Sequence, residues 1–269
     1  MDIIKAIILG IVQGLTEFLP ISSSGHLVLA AEFLNFHEEG VAFEVFVHLG
    51  TLLSVLIAFR ADIINMITAP FKIWWHKNQN PEIREYALWD LYIIVGTLPA
   101  AAIGLAFKDL IESFFSNIVL VIFMLFITGT FLLISAKFKK QDGHVTLLRS
   151  FIIGCAQACA ILPGISRSGA TIVTGMAIGV EREKAARFSF ILSIPAILGA
   201  GVLKINDLAN SSISQMEVVY FLAGALAAFV SGYAAILWLM NLIKKGRLHH
   251  FSYYCYGLVI LALLWFFVL

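Results

Sequence analysis

Two short stretches of the chain nearly repeat each other: ISSSG at residues 21–25 and ISRSG at residues 165–169. Each interrupts an apolar segment that carries a glutamine upstream, Gln13 in the first half and Gln157 in the second. Broken, hydroxyl-rich backbone is tolerated at membrane depth only where it is buried in protein or lines a wet cavity. Breaks at matching positions of two halves therefore predict a binding site near the middle of a membrane.

The composition is that of a membrane protein. Of the 269 residues, 60% are hydrophobic and only 13% are charged, and apolar runs recur along the whole chain. These values exclude an ordinary soluble domain. The formal net charge is +1, and most Lys and Arg fall in a few short connections, where they act as topology signals. We therefore expect no nucleic-acid partner.

The lengths of the apolar segments predict how each one meets the bilayer, because about 20 residues cross it and runs of about 10 to 14 are typical of buried or re-entrant pieces. Four segments are short, and the repeated motifs join them in pairs: 6–19 with 26–36, and 151–162 with 170–180. We interpret the pairs as two helical hairpins that enter and leave on one face. The longer segments lie near residues 43–60, 86–107, 116–136, 186–204, 216–240 and 251–269.

Groups of Lys and Arg near residues 60–84, 137–149, 182–187 and 244–247 predict the orientation, because short cytoplasmic loops collect positive charge. If both hairpins are re-entrant, all four groups lie on one side. Two full crossings per hairpin would give the same orientation, so only the shortness of the segments favours re-entrance. A hairpin plus three crossings in each half turns the second half upside down, with both termini outside.

The expected fold is thus an all-α polytopic membrane protein with six transmembrane helices and two re-entrant helical hairpins in an inverted-topology repeat. With no long polar stretch between the halves, we expect a single membrane domain over residues 1–269. The repeat halves are about residues 1–140 and 145–269.

The first motif is preceded by an ionisable side chain. Gln13 and Glu17 lie four residues apart and share a helix face. An ionisable group in an apolar segment is a functional hypothesis by default, although a structural hydrogen bond is the alternative. His26 follows the serines and can serve as base, acid or nucleophile. His48, further along, is expected to be a packing residue.

Arg167 is the strongest clue in the second half, because its planar fork suits two oxygens of a phosphate. A structural salt bridge to Glu17 is the alternative. Hydroxyls at a helix N-terminus favour an anion, although they also fit simple capping. A carboxylate, an imidazole, a guanidinium and these hydroxyls suit phosphoryl transfer at one composite site. The candidate hydroxyls belong to Ser22, Ser23, Ser24, Ser166, Ser168 and Thr171.

The strings QGLTEFLPISSSGH at residues 13–26 and PGISRSGAT at residues 163–171 resemble the two signature motifs of the undecaprenyl-diphosphate phosphatase family associated with bacitracin resistance. The resemblance implies dephosphorylation of a long isoprenoid diphosphate, which recycles the lipid carrier of cell-wall synthesis. It also implies a divalent cation, Mg²⁺ or Ca²⁺, and a site open to the outer face of the bacterial plasma membrane. Family members carry Glu or Gln at position 13, so this chain retains only one of the two possible motif carboxylates. Glu17 could bind the cation or orient His26, with substrate oxygens and water completing the shell of the cation.

We hypothesise that Ser23 attacks the terminal phosphorus while His26 and Glu17 handle the proton, with Gln13 and Arg167 among the groups that bind substrate. In a rival mechanism His26 is the nucleophile. A transporter or flippase of a phosphorylated lipid is the alternative function, since inverted repeats with broken helices are a transporter architecture. The expected partners are an isoprenoid diphosphate lipid and membrane lipid, and the oligomeric state, including a homodimer, stays open.

Overall fold

The computed structural model describes residues 3–26, 40–76, 80–138, 142–203 and 214–268. These residues are helical and contain no β-strand; their one bridge joins Gly143 to Val180. The predicted segment 26–36 lies almost wholly outside them. The helices of eight or more residues are α1 Ile3–Phe18, α2 Gly40–Ala58, α3 Arg60–His76, α4 Pro81–Ala106, α5 Lys108–Phe115, α6 Ile118–Ile134, α7 Leu147–Cys159, α8 Arg167–Ala177, α9 Arg182–Leu203, α10 Gln215–Lys244 and α11 His250–Val268.

Each of the six long segments predicted from the sequence coincides with a helix. Four helices, α4, α6, α9 and α10, are long and apolar enough to cross a membrane. The pair α2 and α3 also qualifies when taken together, although it is bent by 68°, whereas α11 belongs with the shorter apolar helices. The chain is therefore a multi-pass membrane protein with four to five candidate spans in its described part.

Helix α3 was not predicted, because its charged residues suggested a loop. Its inner face buries Met66 and Ala69, which are spaced as one face of a helix requires. Asp62 on the same helix is buried and accepts hydrogen bonds from Arg187 Nη1 at 3.0 Å and Tyr86 Oη at 2.7 Å. Tertiary contacts therefore stabilise a helix where the sequence alone shows a mixed polar pattern.

The four positively charged regions contact one another and therefore lie at the same end of the molecule. Hydrogen bonds or ion pairs link the third region to each of the other three. These contacts join Arg187 to Asp62, Lys184 to Glu85, Arg182 to the Phe138 carbonyl, and Glu183 to Lys244. This clustering agrees with the arrangement predicted from the loop charges.

The second hairpin is formed by α7 and α8, which begin and end at that same charged end. The amide of Glu181, just after α8, donates to the carbonyl of Gly143, just before α7, at 2.9 Å. Between the helices the chain turns sharply at Gly164, where φ is +95°. The hairpin therefore returns to the side from which it starts.

The two motif turns meet inside the protein. Ser168 Oγ donates to the Leu19 carbonyl at 3.3 Å, and both residues are buried. Elements from the opposite half hold each turn: the Thr128 hydroxyl of α6 bonds the Gly164 carbonyl, and Tyr254 of α11 bonds His26. This reciprocal arrangement is typical of an inverted repeat.

Helix backbones touch at two matching places. A Cβ atom on Gly10 of α1 would lie 2.2 Å from the Gly224 carbonyl oxygen of α10. A Cβ atom on Gly154 of α7 would lie 2.3 Å from the Gly96 carbonyl oxygen of α4. Small residues permit such close helix packing in membranes. Each short motif helix is thus anchored on a long helix of the other half.

We expect Gly10→Ala to destabilise the protein, because α1 and α10 must separate to admit the added methyl group. Overpacking of this kind costs about 1–3 kcal/mol. That corresponds to a fall of roughly 2–10 °C in the melting temperature of the detergent-solubilised protein. Gly257→Ala on α11 is the control, since no described atom outside the adjoining backbone of α11 lies within 4 Å of its added Cβ. Equal melting temperatures for the two variants would contradict the close contact.

Candidate active site

A half-open cavity of about 410 Å³ lies where the two motif turns meet. Its walls come from both halves of the chain: α1, the first serine turn and α2 on one side, and the end of α7, the second turn and α9 on the other. Of the predicted site residues, those that line it are Gln13, Glu17, Ser23, Ser24, Ser166 and Arg167.

The carboxylate of Glu17 is buried at the centre of this cavity wall. Its Oε2 accepts hydrogen bonds from Gln13 Nε2 at 2.9 Å and from Ser23 Oγ at 2.7 Å. Its Oε1 forms an ion pair with Arg167 Nη2. The acid of the first motif therefore meets the guanidinium of the second, 150 residues away in sequence. A buried charge needs such partners, because desolvation makes an unpaired one costly.

Ser23 is placed as a nucleophile would be. Its hydroxyl proton points to Glu17, so an oxygen lone pair is left for the cavity. In an activated nucleophile the hydroxyl usually bonds a base, and a third group holds that base in place. Here the base is Glu17 and the third group is Arg167. Ser22 just before it has φ +70°, which turns the chain sharply and lets the next helical turn begin at Ser23.

The second motif presents a helix N-terminus to the cavity. Arg167 is the first residue of α8, and Ser166 caps that helix by accepting from the Gly169 amide at 3.1 Å. The Ser166 amide is itself held by Thr128 Oγ1 at 3.0 Å. Because helix N-termini attract anions, α8 adds a positive end to the charge of Arg167.

Three of the predicted hydroxyl residues do not line the cavity. Ser22 is buried and lies 3.3 Å, Oγ to Oγ, from Ser24. Ser168 bonds the Leu19 carbonyl, as described above. Thr171 donates to the Arg167 carbonyl at 2.7 Å and lies 2.5 Å from the Ser189 hydroxyl. These hydroxyls bond within the two turns and α8 rather than facing the cavity.

His26 does not join Glu17 in the cavity wall, contrary to the sequence-based expectation. Its Nδ1 lies 2.8 Å from the Ser22 carbonyl oxygen and its Nε2 lies 2.8 Å from Tyr254 Oη. The imidazole also stacks on the Tyr254 ring, with centroids 5.6 Å apart. A residue of α11 that no motif signalled therefore draws the ring away from the cavity.

His48 lines the cavity instead, although the sequence suggested a packing residue. Its Nδ1 donates to the Glu44 carbonyl at 2.7 Å, and its Nε2 lies 3.9 Å from Glu17 Oε2. The Glu44 side chain lines the cavity as well. Sequence analysis missed this pair, yet both are ionisable groups in an apolar segment, which is the signal that singled out Glu17.

A second, apolar cavity of about 530 Å³ adjoins the first. It lies between α4, α5, α7 and α9, and small residues of α4 and α9 form much of its wall. Arg167 and Ile161 line both cavities, so the guanidinium lies where they meet. A polar cavity next to an apolar one suits an amphipathic ligand.

The residues present offer oxygen ligands that fit a hard divalent cation. Gln13 is fully buried and lines the cavity, and its Oε1 has no hydrogen-bond partner among the described residues. Glu17 and Glu44 line the same cavity, and each carries a carboxylate. Mg²⁺ and Ca²⁺ prefer oxygen ligands, and Mg²⁺ commonly takes only one or two carboxylates plus phosphate oxygens and water. The described residues contain no cluster of three or more His, Cys, Asp or Glu side chains suited to a metal.

Comparison with known proteins identifies the family. The family model described as "Bacitracin resistance protein BacA" matches residues 6–261. The chain is 46% identical over 271 residues to an undecaprenyl-diphosphatase of Methanobrevibacter smithii, covering 95% of each chain. It is 41% identical over 268 residues to one of Halothermothrix orenii, covering 98% of each. It is 39% identical over 264 residues to undecaprenyl-diphosphatase 1 of Bacillus cereus, covering 97% of each. Because the family model matches residues 6–261 and these relatives are at least 39% identical over nearly the whole chain, the chain belongs to the BacA family.

Proposed function

We propose that this membrane protein hydrolyses undecaprenyl diphosphate to undecaprenyl phosphate and inorganic phosphate, which recycles the lipid carrier for cell-wall synthesis and confers bacitracin resistance. Family membership and the names of the relatives support this activity. The observation that carries it is the cluster of Ser23 and Arg167 around the buried carboxylate of Glu17 in one cavity. Such a cluster combines a nucleophile, a base and a phosphate-binding cation, as phosphoryl transfer requires.

In the proposed reaction Arg167 and the N-terminus of α8 bind the terminal phosphate, and the isoprenoid tail occupies the apolar cavity. Ser23 Oγ attacks the terminal phosphorus and passes its proton to Glu17 Oε2. The bond from that phosphorus to the bridging oxygen breaks, and undecaprenyl phosphate leaves. Water then attacks the phosphoserine, Ser23 regains its proton, and inorganic phosphate is released. Positioning and charge neutralisation supply most of the rate enhancement.

His26 fits a positioning role in this scheme. By bonding the Ser22 carbonyl and Tyr254 it fixes the strained turn that presents Ser23. The rival scheme, in which His26 is the nucleophile, requires the imidazole to turn away from Tyr254 into the cavity.

We expect a phosphoryl group to be trapped on Ser23 when the reaction is quenched rapidly with acid. Phosphoserine survives acid and is lost in base, whereas phosphohistidine is lost in acid. The measurement is retention of label from a terminally labelled prenyl diphosphate under each condition. An acid-labile adduct would instead support His26 as the nucleophile. The absence of an adduct in both quenches would favour direct attack by water on the terminal phosphorus.

We propose that Glu17 and Gln13 Oε1 hold a divalent cation, Mg²⁺ or Ca²⁺, together with substrate phosphate oxygens. When bound, the cation supplies charge neutralisation at the phosphate. The orphaned Gln13 oxygen supports this assignment, and Glu44 offers a further carboxylate at the same cavity.

We further propose the full architecture of six transmembrane helices and two re-entrant hairpins in one domain, with both termini and the cavity open to the outer side of the bacterial plasma membrane. The reciprocal anchoring of the motif turns and the clustering of positive charge at one end support it. A homodimer remains compatible with this arrangement.

The decisive functional experiment measures inorganic phosphate released from a long-chain prenyl diphosphate by the purified protein, with and without a chelator. We expect release that is lost on chelation. Movement of the lipid between leaflets without phosphate release would instead identify a transporter or flippase, which needs the anion site but not the Ser23 and Glu17 pair.

A further inference from the structure

Gln157 is a buried polar side chain without a partner. It lies on α7 ahead of the second motif, is 3% exposed, and neither Nε2 nor Oε1 has a hydrogen-bond partner among the described residues. An unpartnered buried amide destabilises a fold, so a native protein that keeps one requires an explanation.

Comparison of the two repeat halves explains why the Gln157 amide has no partner. Gln13, at the matching position of the first half, donates from Nε2 to Glu17, four residues further along α1. Four residues after Gln157 the chain has Ile161, which cannot accept a hydrogen bond. The second half therefore keeps the glutamine but lacks the carboxylate that would satisfy it.

The surroundings of Gln157 indicate what could bind there. The side chain lines the apolar cavity, as does Arg167, which also lines the polar cavity. Across this cavity α4 and α9 present small residues such as Ala101, Gly104 and Gly199, and an added Cβ on Gly199 would meet no described atom within 4 Å. Lys108 and Glu112 of α5 line the cavity as well and lie 3.9 Å apart as an ion pair, whereas the Gln157 amide has no described partner. The amide is therefore an unpartnered polar group in a mainly apolar slot that Arg167 also lines.

We propose that Gln157 binds the phosphate that carries the isoprenoid chain, an inference that rests on the proposed function. The diphosphate then lies across Arg167. Its terminal phosphate faces Ser23 in the polar cavity. The Gln157 side chain, whose amide atoms are buried here, turns toward the apolar cavity on binding, and Nε2 donates a hydrogen bond to the proximal phosphate. The isoprenoid chain continues into the apolar slot.

This assignment gives Gln157 a role in substrate selection. A ligand with one phosphate and an isoprenoid chain, such as the lipid product, makes the Gln157 contact. Inorganic phosphate, which has no chain, occupies the terminal site beside Ser23 and makes no such contact. Inhibition by a prenyl monophosphate therefore reports on the proximal phosphate position, and inhibition by inorganic phosphate reports on the terminal one.

The test is Gln157→Leu, which keeps the approximate shape and removes both polar atoms. One lost hydrogen bond to a charged phosphate predicts a KM for prenyl diphosphate about 10- to 100-fold higher, with kcat changed far less. Inhibition by prenyl monophosphate should weaken by the same factor, and inhibition by inorganic phosphate should not change. The melting temperature should stay the same or rise, because an unpartnered buried amide has been removed. Gln215→Leu, at an exposed position of α10, is the matched control and should behave as the wild type.

Three results would overturn the assignment: a KM within threefold of the wild type, equal weakening of inhibition by both phosphates, or a lower melting temperature, which would make the amide structural. If the wild type itself releases no phosphate, the proposed function fails instead, so the two failures are distinguishable.

Discussion

Replacing Arg167 with lysine should lower kcat/KM for prenyl diphosphate by about 10²–10³-fold, the usual loss when one donor to developing charge is removed. Arg167 bonds Glu17 with Nη2 and lines both cavities, so its fork can hold the carboxylate and the substrate together. Lysine keeps the charge but provides a single point of contact in place of a planar fork. The measurement is phosphate release at several substrate concentrations.

Arg187→Lys is the matched control for this variant. Arg187 pairs with Asp62 at the charged end of the molecule and lines neither cavity of the composite site. We expect that control to retain turnover. An Arg167→Lys protein that works within threefold of the wild type would contradict the role of the two-pronged guanidinium and would show that a single positive charge is enough at this position.

Replacing Glu17 with glutamine should reduce turnover by about 10²–10⁴-fold, the range for loss of a general base. The amide fills the same space but is a poor acceptor for the Ser23 proton, and it leaves Arg167 without its carboxylate partner. Phosphoenzyme formation in a rapid quench should slow by the same factor, because the first step needs this base.

Glu85→Gln is the matched control for Glu17→Gln, since Glu85 pairs with Lys184 and His144 at the charged end of the molecule. Both variants should insert and remain folded, which their melting temperatures would establish. Undiminished phosphoenzyme formation in Glu17→Gln would assign the proton to another group, and His48, 3.9 Å from the same oxygen, is the nearest candidate.

The meeting of Glu17 and Arg167 was predictable from the sequence, because matched motifs in two halves that are expected to be inverted should enter from opposite faces and approach each other. The broken helices at both motifs were predictable for a different, local reason. Their residues supply proline, glycine and hydroxyls where an apolar helix would otherwise continue. Local chemistry fixed these features, so a single sequence was enough to find them.

Other features depend on contacts between distant elements and could not be predicted. The orientation of His26 is set by Tyr254, 228 residues away, and no motif connects the two. Helix α3 forms because Asp62 pairs with Arg187 and because Met66 is buried, whereas its charged residues pointed to a loop. His48 was judged as an isolated histidine, and only the fold brings it to Glu17.

The central claim is that Glu17 and Arg167, one from each half of the chain, act as a single catalytic unit. The most direct test compares kcat/KM for phosphate release in Glu17→Gln, Arg167→Lys and the double variant. Residues that act as a unit are strongly non-additive, so the double variant should fall within about tenfold of the worse single variant. A double variant whose loss equals the product of the two single losses would show that the residues act independently and would contradict the composite site.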